Sequence, residues 1–462
     1  MNIQKKLKEL GFNCVTDRFY RLIDVWQSWY DGCVEDFHNY TVYNGIQYLD
    51  CQRYTTGMAK KASEDWANLL LNEKVAITLE GEKEQEFVSN VLKANNFRVK
   101  GNEMQERKAA LGTVAYVPRV EGMSVAEGTG EVLRAGSIKL DYCTAPMIYP
   151  LSWDNGEIRE CAFAAESKIR GKDYTYLQIH RLKGGKYIIE NHIFEYSREV
   201  ALSTVPGYEN VPKSVNTDSD KPQFVIDRLN IANPETENPM GISVFANAID
   251  QLKGVDIAYD GYVNEFVLGK KRIVVKPEAT KDINGRPVFD ARETVYYALP
   301  EDGANGSMME QVDMTLRTQE FNAGMQDMLN MLSSKCGFGE NHYKFDRGGI
   351  ATATQIVSEN STLFRTIKKH ELILRDVLVQ LCRTILRMGN QYMNAGLDED
   401  VEISIDFDDS IIEDKESDFN RDSRLLQMGI MNDWEFRMKW MNEDEETAKA
   451  ALPKMETLVS DE

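Results

Sequence analysis

Asp406, Asp408 and Asp409 stand close together in the last quarter of the chain, and clustered carboxylates are what a hard divalent cation takes as ligands. A metal-dependent enzyme acting on nucleic acid could be built on such a cluster. The spacing fails the calcium-loop pattern, because neither the turn glycine nor the closing glutamate follows. Val401, Ile403, Ile405 and Phe407 alternate with polar residues here, so the carboxylates read as the solvated side of a strand. The five histidines, His38, His180, His192, His342 and His370, show no metal-ligand spacing and read as surface or packing residues. Gly128-Thr129-Gly130 lacks the third glycine and the strand–loop–helix setting of a dinucleotide site, and reads as a hairpin. Neither a G-x-x-x-x-G-K-[ST] phosphate loop nor a G-x-S-x-G nucleophile turn occurs. The seven cysteines are scattered, with no C-x-x-C, as expected of reduced thiols in a chain made in cytosol. Nothing in this inventory asks for an enzyme, a metal or a cofactor.

Charge and length bound the remaining classes. At 462 residues the chain exceeds one ordinary core, so about two to four substructures are expected. Lys and Arg total 54 against 74 Asp and Glu, a net of −20. A chain that grips nucleic acid through counterion release needs a basic footprint, which this balance opposes; a partner that only slides past is still allowed. Residues 398–422 alone hold twelve acidic and two basic residues, half of the deficit. No apolar run reaches the roughly 20 residues that span a bilayer. Met1 to Leu10 is amphipathic and lacks the apolar core of a secretion signal.

The elements that must position any site are mixed α and β. Thr16 opens a helix to about Asp31 with Phe19, Leu22, Ile23, Trp26 and Trp29 on one side and Gly32 at its end. An aromatic-rich polar loop follows through Tyr40, Tyr43, Tyr48 and Tyr54, and Thr55 or Thr56 starts a second helix carrying Ala62, Trp66, Leu69 and Leu70. Val75 to Leu79 alternates as a strand, Lys83 to Ala94 and Glu103 to Leu111 read as helices, and Thr113 to Val120 as a strand. Gly122 to Gly136 reads as a hairpin loop. Strands are expected over 137–153, 158–167, 174–182 and 186–196, with Gly184-Gly185 as a two-residue turn and 205–222 as an exposed loop.

The most informative stretch is Asn238 to Lys344. Its first helix is expected to open at Asn238-Pro239-Met240-Gly241-Ile242-Ser243. Ala248, Leu252, Val255, Tyr259, Tyr262 and Phe266 step by four and three, the seam of a helix packed lengthwise on another. Gly254, Ala258 and Gly261 fall on one flank, where small side chains admit a close neighbour. Lys270 to Met314 reads as β-rich, and Phe321, Met325, Met328 and Leu332 repeat the four-three step. Gly337 to Ala351 is loop-like. Thr352 and Gln355 have capping-box spacing before a helix of roughly forty residues, kept apolar by Ile356, Leu363, Ile367, Leu374, Leu378, Leu381 and Ile385 to about Tyr392. Gly396 can stop it, and two or three short helices follow from Phe419 to Leu458.

This order of parts resembles the portal proteins of tailed bacteriophages, the siphophage-type portal or minor capsid family. The residues that carry the resemblance are Trp29-Tyr30-Asp31-Gly32, Trp66 to Glu73, Ala109-Ala110-Leu111-Gly112-Thr113-Val114-Ala115-Tyr116, Asn238 to Ser243 with the helix to Phe266, and Ile405-Asp406-Phe407-Asp408-Asp409-Ser410 followed by Gly429-Ile430. It covers nearly the whole chain and rests on order and spacing rather than on one motif. One departure is Asn432-Asp433-Trp434, where relatives often carry a Ser or Thr cap.

The resemblance implies an α+β portal fold. Residues 1–237 would form a mixed α/β wing, 238–269 and 316–336 a two-helix stem, 270–315 a small clip, and 337–351 a tunnel loop. The long wing helix and strand would occupy 352–410, and a helical crown 411–462. It implies a homo-oligomeric ring, commonly a dodecamer, at one capsid vertex of the virion, assembled in the host cytoplasm with no membrane contact. Double-stranded DNA would pass through its channel during packaging and ejection. The large terminase subunit and later a head-completion adaptor would dock on it, beside major capsid and scaffolding proteins. An acidic channel wall repels phosphates, and Asp250, Asp260 and Glu265 are the expected lining. Asn341, Lys344 and Arg347 fall in the expected tunnel loop, Gly254, Ala258 and Gly261 at expected subunit contacts, and Arg272, Lys276, Lys281 and Arg286 in the clip that meets partners. A capsid or baseplate subunit without a DNA channel is the alternative, with the metal-dependent enzyme behind it.

Overall fold

A computed structural model describes residues 2–122, 124–125, 132–134, 136–269, 272–275, 284, 286, 296–298, 309–312, 315–344, 353–407, 415–441 and 443–451. The chain begins with α1 (Ile3–Glu9), α2 (Asp17–Tyr30) and α3 (Glu35–His38), then a hairpin of β1 (Asn39–Tyr43) and β2 (Tyr48–Gln52). Next come α4 (Met58–Leu70), β3 (Ala76–Leu79), α5 (Glu82–Ala94) and α6 (Phe97–Leu111). The β-rich part holds β4 (Thr113–Glu121), β5 (Ser124–Val125), β6 (Val132–Arg134), β7 (Ser137–Thr144), β8 (Ile148–Asp154), β9 (Glu157–Ile169) and β10 (Lys172–Lys183). It continues with β11 (Lys186–Glu195), β12 (Arg198–Val200), β13 (Ser214–Asn216) and β14 (Val225–Arg228). After these stand α7 (Ile249–Leu268), β15 (Arg272–Val275), β16 (Tyr296–Ala298), β17 (Met309–Val312) and α8 (Thr318–Lys335). The last part is α9 (Ala353–Met393), β18 (Ile403–Asp406), α10 (Lys415–Gln427), α11 (Asp433–Met441) and α12 (Glu445–Ala450).

The mixed α+β expectation holds, with informative shifts. The aromatic stretch expected as a loop is the β1–β2 hairpin, paired from Asn39↔Gln52 to Tyr43↔Tyr48. The second helix starts after Gly57, not at a threonine cap, because the Thr56 hydroxyl is spent elsewhere. The strand expected over 137–153 is two, β7 and β8, broken by a single tight turn at Ala145–Met147. Gly184 and Gly185 both take positive φ, 61° and 81°, so the β10–β11 turn needs them as glycines. The expected loop 205–222 contains β13, which adds to β11. Asn432 caps α11 without a hydroxyl: its own N–H donates to Glu435 Oε2 at 2.8 Å, half of a capping box.

One continuous core joins α2, α4, α6 and α9 to the β14-β4-β7 sheet. The larger sheet, ordered β12-β11-β10-β9-β8, lays one face on that core, and α1 covers the other with Ile3 and Leu7. α9 runs 41 residues, about 60 Å at 1.5 Å per residue, and buries Leu374, Leu378, Leu381 and Ile385 along one stripe. It ends where Asn394 and Gly396 turn left-handed, and Lys83 Nζ donates to the carbonyls of Ala395 and Gly396 at 2.6 and 2.8 Å.

Charge is also buried. Lys108 of α6 and Asp227 of β14 pair at 2.9 Å with both side chains shielded from water, and Gln105 Nε2 donates to the same carboxylate at 2.8 Å. Burial pulls the Lys108 ammonium down, and Asp227 opposes that pull. Losing one partner strands the other charge, so Asp227→Asn is expected to destabilise the fold by about 3–5 kcal/mol, read as a lower urea midpoint. Lys108→Met combined with Asp227→Leu should recover most of that loss; an equal loss in both variants would put the cost in packing instead.

Two histidines are buried as neutral groups. Burial holds His180, wedged between Phe163 and Phe224, at about 3. Burial, then Lys108 and Lys369, holds His370 at about 3 as well. Their folded values lie below the ordinary histidine value near 6.5, so the unfolded chain binds more protons below that pH. Stability is therefore full above pH 6.5 and falls toward pH 3. Between pH 6.5 and 5, before most carboxylates titrate, each histidine should contribute a slope of up to about 1.4 kcal/mol per pH unit. Unfolding midpoints measured at pH 7, 6 and 5 check this; a flat profile would refute it.

Candidate functional site

The stretch singled out by its seam folds as an antiparallel helix pair with a small sheet joining its far ends. α7 runs out, β15 pairs in parallel with β16 and antiparallel with β17, and α8 runs back. The register is regular: Gly254 meets Met328, Gly261 meets Phe321, and Glu265 meets Arg317. Each step along α7 is matched by an equal step backwards on α8. The seam residues Leu252, Val255, Met325 and Leu332 are buried, whereas Phe266 near the outer end of α7 is exposed, so the pair leaves the core as it extends.

The glycine flank has a different neighbour from the one expected. A Cβ on Gly254 would lie 3.1 Å from Met328 Sδ, and one on Gly261 3.1 Å from Phe321 Cε1. Their small size serves contact with α8 of the same chain; sequence shows that a helix comes close but not which helix. Ala258 packs on the same core, partly buried.

The start of α7 is also corrected. The helix begins at Ile249, and 238–248 is irregular. Its backbone groups are used across the fold instead of along a helix. Gly241 N donates to Thr113 Oγ1 at 2.8 Å, Val244 N to the Ala109 carbonyl at 2.9 Å, and the Met240 carbonyl accepts from Asn233 Nδ2 at 2.8 Å. Gly112, with φ 86°, and Gly241 touch backbone to backbone, and a Cβ on either would enter the other's carbonyl.

Of the three expected lining carboxylates, one is free to face solvent. Asp250 is 87% exposed, with Lys253 Nζ 3.3 Å away. Asp260 is 9% exposed and accepts from Tyr54 N and from Asn264 Nδ2, both at 3.2 Å, so it does not line an open surface. Arg317 holds Glu265 at 2.8 Å, and those hydrogen bonds keep its carboxyl below the usual range. Asp256, not singled out from sequence, roots the helix: Thr56 donates to it through both N–H and hydroxyl at 2.7 Å, and His38 Nε2 lies 3.1 Å away. A legible hint existed, since Asp256 and Asp260 sit one turn apart beside an apolar seam.

The loop after α8 is clamped at its base by aromatic groups. Trp66 Nε1 donates to the Cys336 carbonyl at 2.9 Å, and its ring stacks on Phe338 at 5.0 Å. Phe338 in turn stacks on His342 at 4.4 Å, and Tyr343 donates to Asp65 at 3.0 Å. Burial works against ionised Asp65, but hydrogen bonds from His342, Lys61 and Tyr343 outweigh it and hold its carboxyl low. Asn341 takes φ 65° in this turn, and Lys344 follows it, exposed. Arg347 and Thr352 lie outside the described residues, as do Gly128-Thr129-Gly130.

The other candidates do not converge. Arg286 is exposed; Lys276 and Lys281 lie outside the described residues, and Arg272 is described only as part of β15. Asp406 is exposed at the end of β18, while Asp408 and Asp409 lie outside the described residues. Among the described residues no group of three or more His, Cys, Asp or Glu could hold a metal ion. His192 pairs with Glu199 at 2.8 Å on the sheet, far in sequence from the helix pair. All seven cysteines are unpaired. No described helix is long and apolar enough to cross a membrane.

A family model described as "Phage portal protein, SPP1 Gp6-like" matches residues 15–456. No curated protein matches the chain. With a match spanning both the helix pair and the mixed α/β body that roots it, the chain belongs to the phage portal protein family of the SPP1 Gp6-like type.

Proposed function

We propose that copies of this chain form a ring, commonly a dodecamer, at one capsid vertex, and that double-stranded DNA passes through its central channel in packaging and ejection. The observation that carries this reading is the antiparallel pair α7 and α8, rooted in the body by Asp256 and tipped by its own small sheet, in a chain of the portal family. On this reading the pair is the stem, β15–β17 the clip, α9 the helix crossing the wing, and α10–α12 the crown. The large terminase subunit docks on the clip, through Arg272, Lys276, Lys281 and Arg286, and a head-completion adaptor later takes its place. Major capsid and scaffolding proteins meet the outer wing.

Charge supports passage rather than grip. Duplex DNA carries one negative charge per roughly 1.7 Å of axis, so a wall with solvent-facing carboxylates keeps it from sticking. Asp250 on α7 and Asp327 on α8 are exposed and suit that wall; Asp260 is withdrawn from it and Glu265 is held by Arg317. The family is structural, and the chain's role is to form the passage while other proteins do the chemical work.

Negative-stain images of the purified protein test the reading. Rings with a stain-filled hole are expected; particles without a pore would overturn it in favour of another capsid or baseplate scaffold. Lys344 and Arg347 would present rings of positive charge to the duplex from the tunnel loop. Lys344→Ala with Arg347→Ala should lower DNA retention several-fold in a packaging assay, with ring formation intact. Unchanged retention and translocation would remove these two residues from the DNA path.

A further inference from the structure

The β1–β2 hairpin stands apart from every other sheet and exposes apolar side chains on both of its faces. Ile46 is 86% exposed and Tyr48 75%, with Val42, Tyr43 and Leu49 also open to solvent. An isolated two-stranded hairpin is marginal in water, and an exposed apolar patch of this kind marks a contact surface. The arm is nonetheless held in shape. At its tip, Asn44 Oδ1 accepts from Ile46 N and Gln47 N at 2.9 Å, and the Tyr43 and Tyr48 rings lie 5.2 Å apart. At its base, the Arg53 guanidinium lies over Phe37 and Tyr40, and Tyr54 and Thr56 bond to Asp260 and Asp256 of α7.

A cleft of about 550 Å³ opens where α4 ends, between β3, α5 and the start of α6. Leu71, Val75, Ile77 and Leu92 supply its apolar lining, and Lys74, Lys93 and Arg98 outnumber Glu73 at its rim. The hairpin leads into one end of α4 and the cleft opens at the other, 13 residues or about 20 Å away. A closed ring needs two different, complementary patches on opposite flanks of each copy.

Resting on the ring reading, we infer that the β1–β2 arm of one copy seats in this cleft of the next, with Ile46 and Tyr48 on the apolar lining. Between Asn39 and Gln52 the arm carries a single charge, Asp50, which suits a basic rim. The same absence of basic residues argues against nucleic acid as the occupant.

The test places the photo-crosslinking residue benzoylphenylalanine at position 46 in the full chain and maps the products by mass spectrometry. Crosslinks to residues 71–98 of a second copy are expected. Crosslinks only within one chain, or only to other regions of the neighbour, would overturn the assignment. Separately, Ile46→Asp with Tyr48→Asp should cut the ring population at least tenfold without moving the melting temperature of the isolated chain. Rings that form undiminished in this variant refute the arm while leaving the ring standing; a native chain that forms no rings refutes the ring itself.

Discussion

The backbone contact between Gly112 and Gly241 is the constraint on which the rest depends. Neither position has room for a Cβ, because each would drive it into the other's carbonyl. The turn from α6 into β4 and the lead-in to α7 are thereby held in direct backbone contact. Thr113 and Ala109 then accept from the lead-in backbone, so its polar groups are satisfied without a helix. The direction in which α7 leaves the body is set here. Beneath this contact the Lys108–Asp227 pair ties α6 to β14, adding a polar tie to a joint otherwise held by close packing.

Electrostatics in the helix pair follow from what the body takes. Asp256 and Asp260 face inward and receive hydrogen bonds from the segment 38–56, so their charge roots the helix instead of facing solvent. Glu265 is matched by Arg317 across the pair. Charge left over for solvent falls on positions such as Asp250, away from both contacts. The aromatic clamp of Trp66, Phe338 and His342 holds the end of α8 where the helix gives way to loop, as Asp256 ties the body of α7 to the segment before α4.

Much of this was legible. The seam of α7 and α8, the long α9, the β10–β11 turn and the short terminal helices all follow periodicity or turn residues that act locally. The β1–β2 hairpin was legible too, since Asn44-Gly45 between aromatic runs is a hairpin signal that the richness in polar residues obscured. Thr56 was a reasonable helix cap until its hydroxyl proved to be bonded to Asp256, 200 positions away. Asn238 to Ala248 carries helix-like apolar residues, yet tertiary hydrogen bonds claim its backbone.

By itself the sequence determined most of the helices and the long strands, which faces are apolar, that the balance of charge is acidic, and that the parts stand in the order of a portal. These follow from side-chain period and composition, which need no partner to be read. Only the tertiary structure decided which helix the small residues of α7 admit, which carboxylates are spent inside the fold, and where α7 begins. Those depend on groups far apart in the chain meeting at a few ångströms, and no local pattern encodes the identity of the group on the other side.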